Sequence, residues 1–129
     1  MKLASNIAGG LLGLLFLVFG LDFFLHFMPM PPGPPEGSPP ALFMGALLPT
    51  GYFAFVKVLE ITGGVLTAIP KTRNFGLLIL GPILVNILAF HIFLLKGAVL
   101  FQPPIVPVIA VLAAFLLWSA RGKFAALAN

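Results

Sequence analysis

Apolar residues in this chain run on rather than alternate. Four stretches, 7–28, 51–69, 75–95 and 104–120, are almost continuously apolar. At about 1.5 Å of helix per residue, each comes near the roughly 30 Å of hydrocarbon in a bilayer. Between the first two lies a segment that cannot be helical throughout, because Pro29, Pro31, Pro32, Pro34, Pro35, Pro39 and Pro40 crowd around Glu36. It is expected to be an extended, polyproline-like loop. Residues 41–48 are apolar but too short to span, and are expected to lie at the interface or re-enter within an outer loop, 29–50. Thr50 is placed to cap the second span. Pro70 stops that span, and Lys71 and Arg73 flank a turn so tight that the second and third spans must be antiparallel neighbours. Pro82 is expected to kink the third span near Leu78. Gln102-Pro103-Pro104 opens the fourth, Trp118 anchors its end at an interface, and Arg121 and Lys123 close it. The pattern predicts an all-α fold: a four-helix transmembrane bundle forming a single integral membrane domain over 1–129.

Composition gives the same reading. Of 129 residues, 60% are hydrophobic and 8% charged, with mean hydropathy +1.17. A soluble domain carries about a quarter charged residues, so the solvent expected for this surface is lipid. The net charge of +4 sits at segment ends rather than in a patch, which argues for membrane topology and against nucleic acid. Lys2, Lys71, Arg73, Arg121 and Lys123 fall on one side and Lys96 on the other, so both termini are expected to be cytoplasmic. The expected location is a bacterial plasma (inner) membrane. The first apolar run exceeds the roughly 7–15 residues of a signal-peptide core, and is read as an uncleaved span. Cys is absent, which excludes thiol catalysis, disulfide exchange and cysteine-held clusters.

Against this background Lys57 and Glu60, three residues apart within the second span, are anomalous. Charge at membrane depth is costly and usually marks function. Counted from the cytoplasmic end, Asp22 and His91 come at about 22–24 Å, Lys57 and Asn86 at about 16–18 Å, and Glu60 at about 14 Å. His26 lies nearest the outer surface, on the same helical face as Asp22. Groups from three helices at similar depth should face one another, with Lys57 neutralised by Glu60, Asp22 or both, and Asn86 and His91 completing the site. Plainer readings stand beside this one. Lys57 and Glu60 can be a self-satisfied structural pair, Asn86 interhelical glue and His26 simply solvated. Two histidines also permit bis-imidazole haem ligation, although nothing in their spacing favours it. No metal-ligand spacing is stronger. Gly9, Gly13 and Gly20 form a small-residue face on the first span, suited to close approach by another helix, a membrane-protein partner or a second copy.

The run Phe43-Met44-Gly45-Ala46, then Gly51-Tyr52-Phe53, Val56-Lys57-Val58-Leu59-Glu60-Ile61 and Gly63-Gly64, resembles the DoxX family of small membrane proteins. So does the third-span sequence Leu80-Gly81-Pro82-Ile83, Val85-Asn86-Ile87 and Phe90-His91. The resemblance covers most of the chain. It implies a four-helix membrane bundle whose polar signature is Lys57, Glu60, Asn86 and His91; Asp22 and His26 are added from depth and facing alone. It also implies a subunit linked to quinone oxidoreductases, or, for related proteins, a role in membrane-protein assembly.

Three functions follow as expectations. In the first, the polar site binds a quinone or similar lipophilic carbonyl compound. Lys57 or His91 would donate to its oxygen, and Glu60 or Asp22 would relay protons, with electrons supplied by a partner. In the second, the protein is a non-catalytic assembly or interaction protein. In the third, it carries protons or a small solute, which four spans without repeats make the weakest of the three. The sequence contains no self-contained catalytic motif.

Overall fold

The computed structural model describes residues 2–30, 32–97 and 104–128, and among these it is helical without strands. Helix α1 spans Lys2–Leu25, α2 Pro39–Leu47, α3 Tyr52–Ala68 and α4 Arg73–Ala89. A π-helical turn over Phe90–Leu94 extends α4. Helix α5 covers Ile105–Ser119, α6 covers Arg121–Ala125, and a 3₁₀ turn follows over Ala126–Ala128. Helix α1 and the α4–π unit are each long and apolar enough to cross a membrane. Helices α2 and α3 meet at 82°, and α5 meets the C-terminal segment at 73°; counting each bent pair as one span gives four. The expected opening residues Gln102 and Pro103, like Pro31 of the loop, lie outside the described residues.

Helix α1 packs most extensively on α3 and α3 on α4, while α5 closes against α1 and α4. Leu12 and Phe16 of α1 meet Leu77, Leu80 and Leu84 of α4 and Ile109, Ala113 and Leu116 of α5 in one apolar core. Large apolar side chains such as Leu14, Phe55, Val85, Phe93 and Val111 point outward. That surface suits a solvent of lipid tails.

Small residues set the distance between the helices. Gly64 of α3 crosses Gly13 of α1 so closely that a β-carbon at Gly64 would lie 2.8 Å from the Gly13 carbonyl oxygen. On the other side of α3, a β-carbon at Gly63 would lie 2.7 Å from Leu80. Adjacent glycines therefore let α3 be approached from two sides, and it becomes the central helix. Gly20 is covered by Ile61 and Gly9 by the Arg73 guanidinium. The glycine face expected to receive a partner or second copy is thus filled from within the chain. The physical reason is that α3 is tethered and carries its own matching glycines.

Three local expectations are corrected. The first helix starts at Lys2 rather than residue 7 and stops at Leu25 rather than 28. Its end is made by Asp22, whose main-chain oxygen accepts from His26 N (2.7 Å) while its Oδ1 accepts from Met28 N (2.8 Å). His26 takes a left-handed conformation (φ 53°) as the chain leaves the helix, and so shares no helical face with Asp22. Pro82 lies inside α4, which continues as one helix over Arg73–Ala89, and a change of helix type comes further on, in the π turn. The N-cap position of α3 belongs to Gly51 (φ 81°) rather than Thr50, whose hydroxyl accepts a long bond from Tyr52 N (3.4 Å) and donates back to the Ala46 carbonyl at 2.8 Å.

Candidate functional site

The bend between α2 and α3 leaves a cavity of about 550 Å³ bounded by α2, α3, α4 and the π turn. Its polar lining consists of Tyr52, Lys57 and Glu60 from α3, Asn86 from α4 and His91 from the π turn. Most of the wall is apolar: Phe43, Met44 and Leu47 of α2, Phe53 and Val56 of α3, and Ile83, Ile87 and Phe90.

Each polar group is held by its local structure. Lys57 and Glu60 are separated by one helical turn and so lie on one face. Lys57 Nζ donates to Glu60 Oε1 at 3.3 Å and stands 5.1 Å from the centre of the Phe53 ring. The two side chains are 16% and 6% exposed, so little solvent competes for the pair. Only one ammonium hydrogen is used by Glu60, which leaves donors for a third molecule. Asn86 Nδ2 donates to the Pro82 carbonyl at 2.9 Å. Its amide oxygen remains a free acceptor among the described residues.

His91 sits where the helix widens. A π turn is a recurrent feature of functional positions because it re-aims side chains. His91 Nδ1 lies 2.8 Å from the Ile87 carbonyl. A carbonyl can only accept, so Nδ1 carries the hydrogen, and Nε2 is the ring nitrogen left to face the cavity, an acceptor in the neutral form of the ring. The turn is closed beyond His91 by Gly97 N donating to the His91 carbonyl at 2.7 Å, with Lys96 and Gly97 both at positive φ. The cavity thus offers a cationic donor from one wall and acceptors from the other.

Helix α2 completes the enclosure. Its Phe43 ring packs 5.4 Å from that of Phe90. The corner is fixed by Thr50, whose hydroxyl bonds to the end of α2 and lies 3.4 Å from Tyr52 N at the start of α3. Comparison with family models, curated proteins and solved structures returns no match.

Of the six residues singled out from the sequence, the fold brings together four: Lys57, Glu60, Asn86 and His91. Asp22 does not line the cavity, because its carboxylate is engaged by the backbone past the end of α1. Among the described residues the ion pair of Lys57 is with Glu60. His26 is exposed and also lies outside the lining. The two histidines therefore do not line a common site, and the bis-imidazole pairing is not assembled. Asn86 is exposed to the cavity side and bonds within its own helix, rather than joining helices as glue.

Arg73 was not singled out from the sequence as a packing residue. Its Nε donates to the Thr67 carbonyl at 3.0 Å and its Nη1 to Asn6 Oδ1 at 3.2 Å, across the turn and onto α1. Its Nη2 is buried without a partner. Gly9, one turn along α1 from Asn6, was the available signal: a small residue facing the turn makes room for a long cation.

Proposed function

We propose that this chain is a DoxX-like integral membrane protein, a four-helix bundle with both termini cytoplasmic in a bacterial plasma membrane. Its α2–α3–α4 cavity binds a quinone or a similar lipophilic carbonyl compound as part of a redox-associated assembly. The observation that carries the reading is a cavity whose walls are apolar and whose few polar groups converge. Lys57 can donate to a quinone carbonyl, while the Nε2 of His91 can accept from the hydroxyl of the reduced form. Phe43, Phe53, Ile83 and Phe90 supply the apolar surface a ring and the first part of its tail require. Glu60 neutralises Lys57, so the site presents a donor without an uncompensated charge at membrane depth.

The assembly reading is the weaker one, because the glycine face it relied on is covered by α3 and Arg73. The test is titration of the detergent-purified protein with a short-tailed ubiquinone analogue, followed by calorimetry. Loss of one charge-assisted hydrogen bond in a dry site is worth about 1.5–3 kcal/mol, or roughly ten- to a hundredfold in affinity. Lys57→Met should show that loss. Asn86→Leu removes a polar lining group without disturbing a helix contact, and should weaken binding severalfold. Trp118→Phe, at the far end of the molecule, should leave it unchanged. Saturable binding that ignores both cavity variants refutes the assignment.

A further inference from the structure

A second cavity, of about 320 Å³, lies where α1 begins, α3 turns into α4 and α5 bends into α6. Its lining includes the cations Arg73 and Lys123 and the polar side chains of Ser5, Asn74 and Ser119. The three carboxylate side chains of the sequence are Asp22, Glu36 and Glu60, and none lines this space. Two cations in one concavity without a carboxylate side chain among the described residues attract a negatively charged ligand.

The donors are only partly used. Arg73 spends Nε and Nη1 on Thr67 and Asn6, and its Nη2 is sealed against Gly9 of α1, so it gives the cavity its charge rather than a free donor. Lys123, Ser5 and Asn74 make no side-chain hydrogen bond among the described residues. Ser119 differs: its hydroxyl already donates to the Phe115 carbonyl at 2.8 Å and is left as an acceptor. The first turn of α4 faces the same cavity at Arg73 and Asn74. Thr72 does not cap it, because the Thr72 hydroxyl donates to the Leu66 carbonyl instead (2.9 Å). Free amides at a helix start add to the attraction for an anion. Trp118 is exposed and carries Arg121 4.3 Å from its ring, a pairing of the kind enriched where spans meet lipid headgroups.

We propose that this cavity is a binding site for a phosphate group, presented by an anionic lipid headgroup or as free phosphate. Arg73 and Lys123 supply the charge, and Ser5, Asn74 and the start of α4 supply neutral donors. The α5–α6 bend is what makes the site, since it carries Lys123 back over the turn between α3 and α4.

The experiment is native mass spectrometry of the protein from nanodiscs of phosphatidylglycerol mixed with phosphatidylcholine, beside a titration with inorganic phosphate followed by phosphorus NMR. A basic residue near a headgroup contributes about fivefold in affinity. Retention of phosphatidylglycerol over phosphatidylcholine, reduced about fivefold by Lys123→Gln, supports the site with lipid as its source. Phosphate binding with the same sensitivity to Lys123→Gln supports it with the free anion as its source. Arg73→Gln tests the other cation, but disturbs the packing of α1 on the turn. Ser5→Leu, which fills the cavity from α1, is the second variant and should reduce binding in the same way. Lys71→Gln removes an exposed cation outside the cavity and should change binding less than twofold. Equal retention of the two lipids with no phosphate binding overturns the proposal, as does binding that is indifferent to Lys123→Gln and Ser5→Leu. A loss on Lys71→Gln as large as on Lys123→Gln also overturns it, because the attraction would then be diffuse.

Discussion

Removing Lys57 alone should damage the fold more than removing Lys57 and Glu60 together. The pair is 3.3 Å apart and nearly dry, with Glu60 at 6% exposure. In Lys57→Met the carboxylate stays buried and loses its only cation among the described residues. Breaking a sealed ion pair from one side costs about 3–5 kcal/mol. This pair borders an open cavity, and the Lys57 side chain keeps 16% exposure, so about 2–3 kcal/mol is the better figure here. Glu60→Leu strands the lysine instead and should cost about 2 kcal/mol, since the flexible ammonium can turn toward the cavity. The double variant Lys57→Met with Glu60→Leu exchanges both groups for apolar ones of similar size, and should stay within about 1 kcal/mol of the parent. The double change therefore falls short of the sum of the singles by about 3 kcal/mol, the signature of two coupled residues. Unfolding in mixed micelles of increasing SDS, followed by circular dichroism, measures all four proteins. Singles that cost under about 0.5 kcal/mol, or a double that is simply additive, refute the description of Lys57 and Glu60 as a buried coupled pair.

Other consequences are local. Gly64→Leu forces a side chain against the Gly13 carbonyl where α1 crosses α3, and should prevent accumulation of folded protein or lower stability by more than about 3 kcal/mol. Gly45→Ala on α2 meets open space and should raise stability by about 0.5–1 kcal/mol, so thermal melts of the two variants should move in opposite directions. Asp22→Ala removes the acceptor of Met28 N and should cost about 1 kcal/mol, whereas Asp22→Asn keeps a carbonyl oxygen in place and should cost less. Thr50→Val unties the corner between α2 and α3; faster hydrogen exchange confined to residues 39–52 is the expected readout, and an unchanged exchange pattern contradicts it.

Much of this architecture is legible in the sequence, for reasons particular residues make plain. Four apolar runs punctuated by Pro and basic residues give the helices, because the rule linking run length to membrane thickness is simple. Lys57 and Glu60 stand out because charge is rare in such runs, and Asn86 and His91 follow from counting depth. Depth alone misplaces Asp22 and His26. It cannot anticipate that the backbone beyond α1 would claim the Asp22 carboxylate, or that His26 would enter a left-handed conformation. Nor does spacing distinguish a glycine face that meets another molecule from one that meets the next helix; Gly13 and Gly64 had to be seen crossing. The bend that turns α2 into a wall of the cavity depends on Gly51 and on Thr50 reaching backward, a choice between two caps that local sequence leaves open. The role of Arg73 follows from a tertiary contact with Asn6, far away along the chain, which no local pattern encodes.

The cavity beside Lys57 is proposed to receive the ring of a lipophilic quinone. Photolabelling tests it most directly: a short-tailed azidoquinone is irradiated with the purified protein, and the modified peptides are mapped by mass spectrometry. The expected labelling is confined to the cavity walls, within residues 43–60 and 83–91, displaced by an unlabelled analogue and diminished in Lys57→Met. Labelling spread over the lipid-facing residues of α1 and α5, and insensitive to both competitor and variant, would contradict it.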